Sequence, residues 1–334
     1  MKKYLILSAA VLAFAACQNN DDAVIESNDL VPLQVSVANL DVTQNVETRA
    51  ANSAWETGDE IGLFAVQTGT NTALAAQCNP NNVKYQFNDG ANYETSGTTY
   101  RTFAANPTPV YLPANGDAID VFAYYPWVTG KTVAAHTHSI SVATQTTQSA
   151  IDWMYTGKTD KMAHSGTGAS KLITKNNVYS DGVQTACELL FTHALTKVQF
   201  NIVHGTGMEA TDITGNTVSL SIAGMNTTAT LDLFTGAVSG LGDVAAISPV
   251  QMGTAAPGFD KSFEAIILPY TTVAAHEVTI TIGSATYKFN IASGTAFAAA
   301  NKYIYNVTVN AASLTVTAAI TPWGTTTPTA VTAQ

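Results

Sequence analysis

An all-β protein of two β-sandwich domains is what this sequence predicts, on three observations. Short segments rich in β-branched and aromatic residues recur along the chain, separated by Gly, Asn, Asp and Pro turns. Helical periodicity is scarce: Phe297-Ala-Ala-Ala-Asn-Lys302 is the best short turn, and no long amphipathic helix or heptad run exists. The chain has 334 residues, more than one ordinary domain needs. Evenly spaced strands without intervening helices argue for sandwiches over α/β units.

The elements follow in order. Residues 1–16 read as a signal peptide: Lys2 and Lys3, then an apolar run from Tyr4 to Ala16 too short to span a bilayer. Small residues Ala15-Ala16 end directly at Cys17, which resembles a bacterial lipoprotein signal cut before a lipidated cysteine; a simple secretory signal with an incidental cysteine is the alternative. Residues 17–30 are a polar, acidic tether, and Asp21-Asp22 just after the cysteine resembles the surface-export signal of Bacteroidetes lipoproteins. Residues 31–49 hold one strand, with Leu33, Val35 and Val37 alternating with Gln34 and Ser36. Residues 50–184 form the first predicted sandwich, entered through AWETGDEIGLFA (Ala54 to Ala65), where Gly58-Asp59 signals a turn and Ile61, Leu63 and Ala65 alternate. Val83 to Phe87, Ile119 to Tyr125 and Ser139 to Val142 continue it. A Gly, Ser, Asn and Lys-rich loop from Met162 to Asp181 leads to the second sandwich, residues 185–334. Its strands are Leu189 to Val203, Val218 to Ala223, Thr228 to Phe234, Ser262 to Leu268, Glu277 to Ile282, Ala285 to Ile291, Tyr303 to Val309 and Leu314 to Ile320.

Composition narrows the function. Charged residues are 11% of the chain, against roughly 25% in ordinary globular proteins. A surface of hydroxyls and amides suits an extracellular strand protein. Net charge is −10, and an acidic body argues against nucleic acid as partner. Cys78 and Cys187 could pair in an oxidising compartment, though spacing alone does not bring them together.

Catalytic and metal motifs are weak. His136-Thr-His138 could chelate a metal from a strand, but no third ligand follows at a recognisable spacing, and an exposed loop is the simpler reading. His193, inside an apolar strand, reads as a hydrogen-bonded core or edge histidine. Asp152 and Asp160 flank Trp153 to Thr159 (WMYTGKT) and could be a carboxylate pair, or turn and strand-end residues. Ser165 to Lys171 lacks the Gly-Lys-Ser/Thr order of a phosphate loop. Tyr124, Tyr125, Trp127 and Trp153 could stack on sugars or fill a core. No cofactor is implied.

Together several stretches resemble the fimbrillin family of Bacteroidetes, the subunits of pili assembled from lipoprotein precursors. They are AWETGDEIGLFA, Asp120 to Pro126 (DVFAYYP), Ile151 to Asp160 (IDWMYTGKTD), Leu189 to Ile202 with its Phe-x-His-x-Leu-x-Lys-Val strand, Ala265 to Thr272 (AIILPYTT), Phe297 to Val309 and the closing Ile320-Thr-Pro-Trp323. The resemblance implies transthyretin-like topology for both sandwiches, no enzymatic activity, and polymerisation by strand exchange. A trypsin-like surface protease would cut between Arg49 and Ala50; Arg49 is the only Lys or Arg between Lys3 and Lys84. The N-terminal strand would leave, and a neighbouring subunit would fill its groove by β-augmentation. The candidate donor strand is Leu314, Val316, Ala318 and Ile320, apolar on one face; the alternative makes it the last strand of its own sandwich, with only the Thr/Pro-rich tail beyond Trp323 offered to a neighbour. The partners implied are other pilus subunits, that protease, and the outer membrane through the precursor's lipid. The competing readings are a stalk or tip subunit of a cell-surface fimbria serving adhesion, a glycan-binding surface lipoprotein, and an unrecognised hydrolase.

Overall fold

The computed structural model describes residues 30–37, 55–95, 98–159, 161–162, 171–180, 183–184, 186–323 and 329–331. Among these the architecture is all-β, with sheets arranged as β-sandwich units; the two α-helices, Lys175–Val178 and Ala210–Thr214, are short. The run Phe297 to Lys302 turns before a strand, as its composition predicts.

The first unit contains β1 (Val35–Val37), β2 (Glu60–Gln67), β3 (Val83–Thr95), β4 (Thr98–Ala105) and β5 (Ile119–Tyr125). After β6 (Thr137–Ser141), which joins a different sheet, come β7 (Met154–Tyr155), β8 (Cys187–Leu189) and β9 (Thr192–His193). They form one eight-stranded sheet in the order β8-β1-β4-β3-β2-β5-β7-β9. Its two outermost strands, β8 and β9, are joined only through Leu190 and Phe191. Three residue steps reach about 11 Å at most. The sheet must therefore curl until its edges nearly meet, and its inner face closes over Leu33, Val35, Ile61, Leu63, Tyr85, Phe87, Phe103, Val121 and Leu189. Trp55 packs edge-on against Phe103 of β4, Tyr125 of β5 and Phe191 of the link, with centroids 5.1, 5.4 and 5.1 Å away.

The second unit contains β10 (Thr196–His204), β11 (Val218–Asp232), β12 (Val238–Ile247), β13 (Val250–Gln251), β14 (Lys261–Ile267), β15 (His276–Ile282), β16 (Ala285–Ile291), β17 (Asn301–Asn310), β18 (Ser313–Pro322) and β19 (Thr329–Val331). One sheet runs β13-β14-β10-β17-β18-β19; the other runs β12-β11-β15-β16, with β6 added to β11. Side chains alternate as a half-buried sheet requires. Tyr303, Tyr305, Val307 and Val309 of β17 and Val278, Ile280 and Ile282 of β15 all enter one core. Phe289 of β16 meets Phe200 and Tyr305 of the facing sheet at 6.3 and 6.2 Å, so the two sheets pack face to face. On β11 the alternation slips by one residue between Ile222 and Met225, where Gly224 takes a φ of 71° and allows a bulge.

Two features cross between the units. β6 pairs with the second half of β11, from Thr137↔Asp232 to Ser141↔Thr228, while β15 pairs with its first half. The run Leu189 to Val203, read from sequence as one strand, divides into the end of β8, then β9, then β10, three pieces that serve two sheets. The chain after β6 then covers the edge of β14. The Gln145 carboxamide donates to the Ile266 carbonyl (2.8 Å) and accepts from the Ile266 amide (2.9 Å), completing a ladder position that no strand supplies.

Candidate functional site

The site is the seat of the N-terminal strand. β1 lies inside the first sheet, antiparallel to β4 (Val35↔Phe103, Ser36↔Thr102, Val37↔Arg101) and parallel to β8 (Cys187↔Val35, Glu188↔Ser36, Leu189↔Val37). Upstream, Val31 and Pro32 pair with Leu112 and Tyr111. The Leu33 amide donates to the Val110 carbonyl (2.8 Å), and the Cys187 amide donates to the Gln34 carbonyl (2.8 Å). The buried Tyr85 hydroxyl ties the entry together: it donates to the Leu33 carbonyl (3.3 Å) and accepts from the Val110 amide (3.0 Å).

Leu33, Val35 and Val37 are 2%, 1% and 4% exposed, as their alternation predicts. Ser36 departs from it. It is fully buried, and its hydroxyl has no hydrogen-bond partner. Sequence makes β1 a one-faced strand; the structure buries both of its faces at Ser36 and Val37, and β8 pairs along the edge that β4 leaves open. Among the described strands β8 pairs with β1 alone. Beyond the start of β1, a cavity of about 500 Å³ has Leu30 as one wall and Leu74, Cys78, Pro113, Asn115 and Asp117 among the others.

Cys78 and Cys187 are both buried free thiols, so the pairing considered from sequence is absent. Burial, with a smaller contribution from the Glu188 carboxylate, pushes the Cys187 thiol up to about 12. It stays neutral and unreactive while β1 is in place.

The other candidates have structural partners. In the acidic turn, the Glu56 amide donates to Asp59 (2.8 Å), Gly58 takes a φ of 102°, and Glu60 pairs with Lys84 (2.9 Å). The His136 ring stacks on Phe234 with centroids 4.0 Å apart, and His138, on β6, tilts against Trp153. Among the described residues no group of three potential ligands could hold a metal. Tyr124, Tyr125 and Trp153 are buried, and Trp127 lies under the Lys84 ammonium (4.9 Å), so none offers an open sugar platform.

Asp152 and His193 do come together. Nδ1 of His193 donates to Asp152 Oδ1 (2.8 Å) with both residues buried, and the imidazole stacks flat on Trp323, with centroids 3.9 Å apart. Lys197 extends over the same indole and pairs with Glu264 (2.6 Å). Three stretches distant in sequence, IDWM, FTHALTKV and ITPW, thus meet at one buried junction.

Cys17, Arg49, Ala50 and Asp160 lie outside the described residues. Leu314, Val316, Ala318 and Ile320 lie on β18, partly buried against the core of their own sandwich. β18 forms a hairpin with β17, from Asn310↔Ser313 to Asn301↔Pro322, and β19 pairs with its outer edge at Ala318 to Ile320.

A family of fimbrial building proteins is defined by this combination of β-sandwich units and convergent motifs. The chain belongs to the fimbrillin-like family, whose profile matches residues 48–323, and its role is structural rather than enzymatic. It is 27% identical, over 97% of this chain and 96% of the other, to Fim1C of Bacteroides uniformis, a candidate fimbrium subunit. Its fold is similar to crystal structures of two candidate cell adhesion proteins. The one from Bacteroides uniformis has a TM-score of 0.64 and 22% identity, over 89% of this chain and 99% of that one. The one from Bacteroides ovatus has a TM-score of 0.59 and 20% identity, over 88% and 98%.

Proposed function

We propose that this chain is a structural subunit, stalk or tip, of a cell-surface fimbria serving adhesion. It is made as a precursor lipidated at Cys17, cut between Arg49 and Ala50, and polymerised by strand exchange. Both sandwiches take the transthyretin-like topology that the family resemblance implies. The observation that carries the reading is the position of β1. It is an interior strand of a curled eight-stranded sheet, yet it belongs to the short segment upstream of the isolated Arg49. Cleavage there would strip β4 and β8 of a shared ladder partner and empty three apolar seats. Each such side chain contributes roughly 1.5–3 kcal/mol when buried. An emptied slot therefore favours any strand able to refill it, and a neighbouring subunit supplies one by β-augmentation.

The test is the N-terminus of protein extracted from the cell surface. Mass spectrometry is expected to find Ala50 first in the mature form, and Arg49→Ala is expected to leave folded, unpolymerised precursor. A mature N-terminus elsewhere overturns the assigned processing site. Filaments from the uncut Arg49→Ala protein would overturn the exchange mechanism. For the lipid, Cys17→Ala is expected to abolish detergent partitioning of the precursor, and unchanged partitioning would refute Cys17 as the lipidated residue.

A further inference from the structure

We propose that the cavity beyond the start of β1 is a binding site for a neutral sugar. The site goes beyond the polymerisation reading. Apart from Leu30, every residue lining it follows Arg49 in the chain and stays with the protein whether or not strands are exchanged.

Three turns, each held by its own hydrogen bonds, build the cavity. The first, Gln67 to Thr72, follows β2. The Gln67 amide donates to the Thr72 carbonyl (2.9 Å), and the Gly69 amide donates to Oδ2 of the fully buried Asp120 (2.8 Å). The second is the short turn Ala76–Cys78. Asn79 closes it with a φ of 51°, and its carboxamide donates to the carbonyls of Thr108 and Pro109 (3.2 and 3.1 Å). The third runs from Pro113 to Ala118. The Gly116 amide donates to the Pro113 carbonyl (3.0 Å), the Asp117 amide to Asn115 Oδ1 (3.1 Å), and Asn115 Nδ2 to Asp117 Oδ2 (2.8 Å). The Lys175 ammonium donates to the Ala114 carbonyl, which ties this turn to the chain beyond. Loops positioned by a rigid sheet are where binding residues concentrate, and a cavity shaped in advance spares a ligand much of the ordering cost of binding.

The lining selects the ligand. Leu74 and Cys78, both buried, and the half-buried Ala118 present apolar surface. The exposed Gln67, Thr68, Gln77 and Asp117 add carboxamides, a hydroxyl and a carboxylate. The carboxamides of Gln67 and Gln77 make no hydrogen bond among the described residues, and Asp117 Oδ1 has no partner among them. Carboxamides donate and accept, and a carboxylate accepts. A ring bearing several hydroxyls needs both kinds of partner, while its C–H face covers an apolar wall. Among the described lining residues there is no Lys or Arg, and Asp117 carries the one charge. A sugar carrying a carboxylate or sulfate would therefore surrender water to a site with no counter-charge. The volume, about 500 Å³, is that of a small-molecule site.

The test is an NMR titration of the isotope-labelled, unlipidated full chain with glucose, galactose, mannose and N-acetylglucosamine, with N-acetylneuraminic acid as the anionic control. At least one neutral sugar is expected to shift, saturably, the side-chain amide signals of Gln67 and Gln77 and the backbone signal of Gly116, while the acid leaves them in place. Gln77→Ala and Asp117→Ala change exposed side chains. Both should melt as the wild type does and weaken the shift about tenfold, the loss of one hydrogen bond. Leu30→Trp should abolish the shift by filling the cavity from its remaining wall. No shift with any of the neutral sugars, shifts confined to other parts of the protein, or full-strength binding by all three variants would overturn the site. A response to the acid as strong as to the neutral sugars would overturn the ligand class. None of these outcomes turns on where the precursor is cut or whether it forms filaments, so the site and the polymerisation reading stand or fall separately.

Discussion

Gly62 stands in AWETGDEIGLFA, where composition marks a strand entry but gives no reason for a glycine at that position. The reason is the Tyr124 ring on the paired strand, which a Cβ at Gly62 would overlap. Gly62→Ala is expected to cost about 1–3 kcal/mol by overpacking, read as a lower denaturant midpoint; an unchanged midpoint would mean that the ring moves aside freely. Asp152 is a second residue whose role is visible only in three dimensions. Sequence offers it as one of a carboxylate pair, whereas its neighbour in space is His193, on β9. Truncating one member of a buried ion pair leaves the other charge or dipole without compensation. Asp152→Ala should therefore destabilise by about 3–5 kcal/mol, and Asp152→Asn, which keeps an acceptor for the imidazole, by clearly less. Equal losses for the two variants would show that the packing on Trp323, not the hydrogen bond, holds the junction. The reading of His193 as a hydrogen-bonded histidine was available from its apolar flanks; the identity of its partner was not, because 41 residues separate them.

Among the elements, β1 was legible and β8 was not. Alternation of Leu33, Val35 and Val37 identifies a strand without further help. β8 is three residues long and runs without a break into an apolar stretch that continues to Val203. Periodicity reports which face of a strand is apolar, not where a chain turns a corner and changes sheets. The buried bend at Ala194-Leu195 is as apolar as the strands it separates, so no Gly or Pro marks it. Ser36 is a further departure: alternation puts it on the polar face of β1, yet it is fully buried. The seat now carries a chemical reporter. Cys187 is fully buried, and its thiol is pushed up to about 12, so ionisation begins only far above neutral pH. Iodoacetamide at pH 8 is expected to leave Cys187 untouched in the precursor. It should label Cys187 once residues 1–49 are gone and the slot is unfilled, as peptide mass spectrometry would detect. A thiol equally protected after cleavage would mean that β8 closes onto β4 and the slot collapses.

At the scale of the whole molecule, strand content and the sandwich class followed from composition and turn spacing, while the interleaving of the units did not. Three ladders join residues on opposite sides of the boundary that the Met162 to Asp181 loop suggests near Gln184: β6 on β11, β1 on β8, and β7 on β9. β6 carries its own turn signals and reads as an ordinary member of the first unit; nothing in its five residues says that its partner is Thr228 to Asp232. These crossings bear on how the protein comes apart. Two sandwiches tied only by a linker would melt as separate events. Here neither can lose its strands without stripping a ladder from the other, so unfolding should be a single calorimetric transition whose measured and van't Hoff enthalpies agree. A fragment of residues 185–334 should fail to fold, for want of β6. Two resolved endotherms, or a stable isolated half, would contradict the coupling. If the chain folds in one step, no half-made form would offer a bare sheet edge for a stray strand to claim before the proposed cleavage opens the seat.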